Sequence, residues 1–119
     1  MRFLILYTPG TNWVNGVELH NQPFMPEHAV YVQQAYDRGN IVLAGPYGDL
    51  SGGAIVVDGE TEEDVISFVE NDPTVINKIF SPQMKRWGEG MSKFEKISPN
   101  FDEGYIEYKH KIQKELNLI

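Results

Sequence analysis

No cysteine occurs anywhere in this chain, which removes disulfides, thiolate metal ligands and a cysteine nucleophile from consideration. Long hydrophobic runs are missing too. The opening segment Met1-Arg2-Phe3-Leu4-Ile5-Leu6-Tyr7 sets a basic residue ahead of apolar ones, but Pro9-Gly10 soon breaks it. The run is too short for the apolar region of a secretory signal and meets no small-residue cleavage site. No stretch approaches the roughly 20 apolar residues that span a bilayer, so the chain is expected to be cytoplasmic. Positive charge is scarce early on. Residues 1–73 carry only Arg2 and Arg38 against eleven carboxylates, within an overall net charge of −7. Such a chain lacks the cationic field that binding a phosphate backbone requires, and no nucleic-acid partner is expected. Lys109, Lys111 and Lys114 read as a solvated helix face.

What is present suits one small globular domain: 119 residues, 41% hydrophobic and 23% charged, near the size where a single core is stable but marginal. Arg2–Thr8 is apolar, ends at Pro9-Gly10 and predicts a strand. Residues 11–23, with Asn12, Asn15, Gly16 and Asn21, have no clean periodicity and predict a long loop carrying Trp13; long loops in small domains tend to be lids or binding loops. Pro26 suits the first turn of a helix and Gly39 its end, and His28, Val32, Ala35 and Gly39 make one stripe. His28 therefore sits on the inward side, in the first turn.

Ile41–Pro46 is an apolar run expected to be a central strand, joined through the turn at residues 48–53 to a strand at Ala54–Val57. Thr61-Glu62-Glu63-Asp64 is a helix amino-cap signature. Val65, Phe68 and Val69 form the buried stripe of that helix, Asp72 is the next position on it, and Pro73 closes it. A last strand is expected over residues 77–87, interrupted or bulged near Pro82. The order is β-α-β-β-α-β, the split βαβ pattern of ferredoxin-like α+β folds with an antiparallel sheet. Residues 1–98 are assigned to this domain and 99–119 to a helical C-terminal extension, on the spacing of Tyr105, Tyr108, Ile112, Leu116 and Ile119.

An ordered set of short segments resembles the YCII-related family. It comprises Trp13-Val14 with Gly16, Gln22-Pro23-Phe24, His28 with Tyr31, and Gly39. Val42-Leu43-Ala44-Gly45-Pro46-Tyr47 follows with Asp49 and Gly52-Gly53, then Asp72-Pro73 and a strand ending at Trp87. The similarity covers roughly residues 1–88. It implies a ferredoxin-like unit whose sheet pairs across a homodimer, the dimeric α+β barrel arrangement, and a His–Asp pair in a pocket. By motif that histidine is His28 and that aspartate Asp72, while Asp49 matches an aspartate some members carry. Tyr47 stands where many relatives have Phe, and the tail after about residue 90 matches nothing in the family.

Each candidate also has a plainer reading. His28 near a helix amino terminus feels the positive end of the dipole, which favours a neutral base; it could equally be a satisfied, partly buried histidine. Asp72 is expected at the carboxyl end of a helix, where a negative charge needs a partner, or as a cap on the Asp-Pro turn. Asp49 in a glycine-rich turn fits ordinary turn chemistry as well as catalysis. His20 and His110 are expected to be solvated. Trp13, Tyr31 and Tyr47 are the aromatic candidates for binding a ligand.

No metal site is expected, since a metal needs about three converging ligands and no H-x-x-x-H spacing occurs. No nucleotide cofactor is expected either, because Gly45-Pro46 and Gly52-Gly53 match no phosphate loop. Two functions remain open. One is a cofactor-independent enzyme on a small molecule, with His28 as general base or acid and Asp72 orienting it, performing elimination or isomerisation. The other is a non-catalytic ligand-binding or interaction module, and fold alone does not choose between them.

Overall fold

The computed structural model describes residues 1–94 and 102–119. It comprises two compact units, Met1–Trp87 and Gly88–Ile119; the expected boundary at residues 98 and 99 lies outside the described residues. The first unit runs β1 (Arg2–Pro9), α1 (Met25–Asp37), β2 (Ile41–Pro46), β3 (Gly53–Asp58), α2 (Glu62–Glu70), α3 (Pro73–Ile76) and β4 (Phe80–Arg86). Its four strands form one sheet in the order β2-β3-β1-β4, and every pairing is antiparallel. This is the α+β, ferredoxin-like arrangement that the element order implies.

Alternation along β1 buries Phe3, Ile5 and Tyr7, while Leu4 and Leu6 point to the opposite face. Ile55 and Val57 on β3 lie on the same side as Phe3 and Ile5, opposite which they pair. Ala35 of α1 and Val65 and Val69 of α2 join them in a single core cluster, so both helices cover that one face. Turn chemistry fixes the helix ends. Thr61 and Asp64 exchange hydrogen bonds in a capping box at 3.1 and 3.2 Å. Gly39, at φ +85°, follows the carboxyl cap Arg38; its N–H and that of Asn40 donate to Tyr36 and Ala35 O, a Schellman closure that a β-carbon would strain.

Three expectations need correction. Ile41–Pro46 is an edge strand, not a central one. Its register slips at Val42, between Ile41 and Leu43, and Pro46 without an N–H suits an edge. β4 is not interrupted at Pro82: its register with β1 runs unbroken from Phe3 opposite Arg86 to Pro9 opposite Phe80, because β4 too is an edge and the proline costs no ladder bond on its open side. Residues 11–23 are less open than expected. A single 3-10 turn spans Leu19–Asn21, and Gln22, 1% exposed, ties the loop down. Its Oε1 accepts from Val14 N, and its Nε2 donates to Val14 O and Val17 O at 2.7 and 2.8 Å.

In the second unit, α4 (Glu103–Glu115) starts at Asp102, whose side chain accepts from Tyr105 N at 3.1 Å, and none of its residues is buried. Among the described residues no helix is long and apolar enough to cross a membrane.

Candidate active site

The site begins where α1 starts. Phe24 takes a left-handed conformation, φ 64°, and caps the helix, and its carbonyl accepts from His28 N at 2.9 Å. This places His28 in the first turn, facing inward, with its side chain 16% exposed. The imidazole packs against two rings, edge-on to both: Tyr7 and Phe80 each stand 5.5 Å away between centroids. Trp13 stacks on the Phe80 ring at 6.0 Å.

Asp72 lies behind the imidazole and is fully buried. It is not on α2, as the sequence suggests. A residue before proline is disfavoured in helical geometry, so α2 stops at Glu70, and Asp72, at ψ 128°, caps the short α3. Both carboxylate oxygens are occupied. Oδ1 accepts from Thr74 N at 2.9 Å and Thr74 Oγ1 at 2.7 Å, and Oδ2 lies 2.6 Å from His28 Nδ1. The capping reading and the pairing reading of Asp72 therefore both describe its geometry. A carboxylate only accepts, so Nδ1 donates to Asp72, and Nε2 makes no hydrogen bond among the described residues.

His28 and Tyr7 open onto a cavity of about 540 Å³ between α1 and the β2–β3 end of the sheet, within the range of small-molecule sites. Its wall is mostly apolar, with Met25, Val32, Tyr36, Ile55 and Phe80 among the lining side chains. Glycines on the sheet side allow close backbone approach. A β-carbon on Gly52 would lie 2.1 Å from the Tyr7 carbonyl oxygen, and one on Gly53 would meet Gly45 O at 2.9 Å.

The other sequence candidates stand elsewhere. Asp49 is exposed in the β2–β3 turn, where its Oδ1 accepts from Ser51 N and Oγ at 3.0 and 2.6 Å; those bonds hold its carboxyl below the usual range. Tyr31 bridges the helices: its hydroxyl donates to Phe68 O at 2.7 Å and its ring stacks on Phe68 at 5.1 Å. Trp13, Tyr31, Tyr47 and Asp49 are all absent from the cavity wall. His20, expected to be solvated, is exposed and lies 3.0 Å from Glu18 Oε2, yet it also reaches the cavity rim. Among the described residues no three His, Asp or Glu side chains converge as metal ligands would.

Sequence reasoning missed Tyr7, Phe80 and Thr74. Tyr7 had a signal: it is the polar-tipped aromatic at an inward position of β1. Thr74 had one in Asp-Pro-Thr, since an aspartate side chain commonly accepts from its own backbone two residues on.

The sequence model of the YCII-related domain matches residues 1–87. The chain belongs to the YCII-related family. In three dimensions it is similar to 5-chloro-2-hydroxyhydroquinone dehydrochlorinase (TftG) from Burkholderia phenoliruptrix AC1100, solved in complex with 2,5-dihydroxybenzoquinone. The two are 26% identical, the match covers 76% of this chain and 96% of that one, and the TM-score is 0.58. No curated protein matches. Family and neighbour together support an enzyme-like role on a small molecule.

Proposed function

We propose that this YCII-related protein is a cofactor-independent enzyme that eliminates or isomerises a small oxygenated, often aromatic, molecule by general acid–base catalysis. The observation that carries the reading is the 2.6 Å contact of His28 Nδ1 with buried Asp72, which leaves Nε2 unbonded beside the cavity. Nε2 takes a proton from the substrate. The electron pair left behind forms a new π bond as a leaving group departs with its own pair, or the proton returns at another atom. Asp72 holds the tautomer and stabilises the imidazolium formed. No external oxidant or reductant is needed. The neighbour TftG is named as a dehydrochlorinase, an elimination of this class. Asp49, Trp13, Tyr31 and Tyr47 take no part in the reading, since none lines the cavity.

A panel of phenolic, lactone and haloaromatic compounds, including 5-chloro-2-hydroxyhydroquinone, screened by thermal shift and then for turnover, tests the proposal. With a substrate in hand, His28→Ala should lower kcat by ~10²–10⁴. Asp72→Asn keeps an oxygen for the Thr74 bonds but presents an N–H to His28 Nδ1. The imidazole must then carry its proton on Nε2, so turnover falls while the melting temperature changes little. Full activity per folded molecule in His28→Ala would end the catalytic reading and leave a binding module.

We also infer a homodimer. Leu4, Leu6, Ala54, Val56 and Leu43 share the sheet face turned away from α1 and α2, and Leu43 is 61% exposed. An apolar face of this kind is a usual interaction surface, and two-fold pairing would bury it in both copies.

A further inference from the structure

The Tyr7 hydroxyl is buried and has no hydrogen-bond partner among the described residues. The residue is 1% exposed, and its ring is held edge-on to His28 and tilted against Phe80 at 5.3 Å. Packing does not call for the oxygen: Phe3, on the same strand face, fills an equivalent core position without one. A buried hydroxyl left without a partner costs more than an average hydrogen bond contributes, so a tyrosine here implies an acceptor from outside the polypeptide. Tyr7 lines the cavity together with His28, and that cavity is where such an acceptor can come from.

We propose that the Tyr7 hydroxyl is the hydrogen-bond donor that binds and orients the cavity's ligand, through a carbonyl or phenolate oxygen carried on a planar ring. The inference deepens the acid–base reading above and rests on it for the role of His28. Three observations converge on this ligand class. The wall is largely apolar, with aromatic Tyr36 and Phe80, which suits a ring. The Tyr7 oxygen needs an acceptor. Burial, followed by the Asp72 carboxylate and Tyr31, pushes the phenol well above its ordinary 10, so it stays a donor at neutral pH. When His28 removes a ring or hydroxyl proton, negative charge develops on a conjugated oxygen, and a fixed donor at that oxygen stabilises it.

The test compares wild type with Tyr7→Phe in calorimetric titrations with two probes: 2,5-dihydroxybenzoquinone and oxygen-free toluene. Wild type should bind the quinone, and Tyr7→Phe should bind it about tenfold more weakly, the loss of one hydrogen bond to a partly charged acceptor. Toluene should bind both proteins equally, and the unliganded variant should melt no lower than wild type, because no protein bond is lost. If the variant folds poorly, the wild-type chain labelled with carbon-13 at tyrosine Cζ supplies the second measurement, in which the Tyr7 resonance should shift on adding the quinone and not on adding toluene. Equal quinone affinity in the two proteins, an unmoved Tyr7 resonance, or no quinone binding by wild type would each overturn the proposal. Tyr7-dependent binding in a protein that turns nothing over would support it while ending the acid–base reading.

Discussion

At the scale of single residues the site is a chain of three groups, Thr74, Asp72 and His28, each fixed by the one behind it. Thr74 occupies one carboxylate oxygen, which leaves the other at 2.6 Å from the imidazole. Tyr7 stands apart, as a phenol whose charged form is disfavoured by its surroundings. That has a consequence at high pH. Its folded pKa is raised above the unfolded value near 10, so the associated stability is fully present below that pH and is lost as pH rises toward the folded value. Urea midpoints measured from about pH 8 to 11 should therefore fall, and Tyr7→Phe should flatten the slope. Tyr31, also raised by burial, leaves a residual slope. A wild-type midpoint independent of alkaline pH would contradict the burial of Tyr7.

At the scale of elements, glycines let the backbones at the β2–β3 end of the sheet approach one another and β1 closely. Gly52 lies so close to the Tyr7 backbone that a β-carbon would sit 2.1 Å from its carbonyl oxygen. Neither backbone can yield without opening the β1–β3 ladder, in which Tyr7 pairs with Gly53. Gly52→Ala should cost about 1–3 kcal/mol, the usual penalty of overpacking, read from chemical denaturation, and it should weaken ligand binding by displacing Tyr7. An alanine variant as stable as wild type would contradict this register. The short α3 matters for the same kind of reason. Pro73 ends one helix and begins another, and of the two residues between them, Asn71 and Asp72, the second is thereby turned inward to meet α1.

At the scale of the whole molecule, one face of the sheet of the Met1–Trp87 unit is covered by its helices, while the other presents Leu4, Leu6, Val56 and Leu43. If that face pairs with a second copy, light scattering at micromolar concentration should give twice 13.6 kDa. Leu6→Glu, which sets a charge in the centre of the buried face, should return the mass to that of one chain with the helix content kept. A wild-type mass of 13.6 kDa would sink the dimer.

The order of elements, the inward stripes of α1 and α2, the capping box at Thr61 and the glycine closure at Gly39 were legible from the residues alone, because each depends on a local period or a local backbone preference. The same holds for His28 on the inner side of a first helical turn. Its contact with Asp72 was not legible from local pattern, since 44 positions separate them and only the packing of α3 against α1 brings them together; what pointed to the pair was the family resemblance. Strand order was likewise hidden: an apolar run such as Ile41–Pro46 looks central, yet the crossover connections place it at an edge. The unbonded Tyr7 hydroxyl could be decided only in three dimensions, because whether a buried polar atom has a partner depends on every element packed around it.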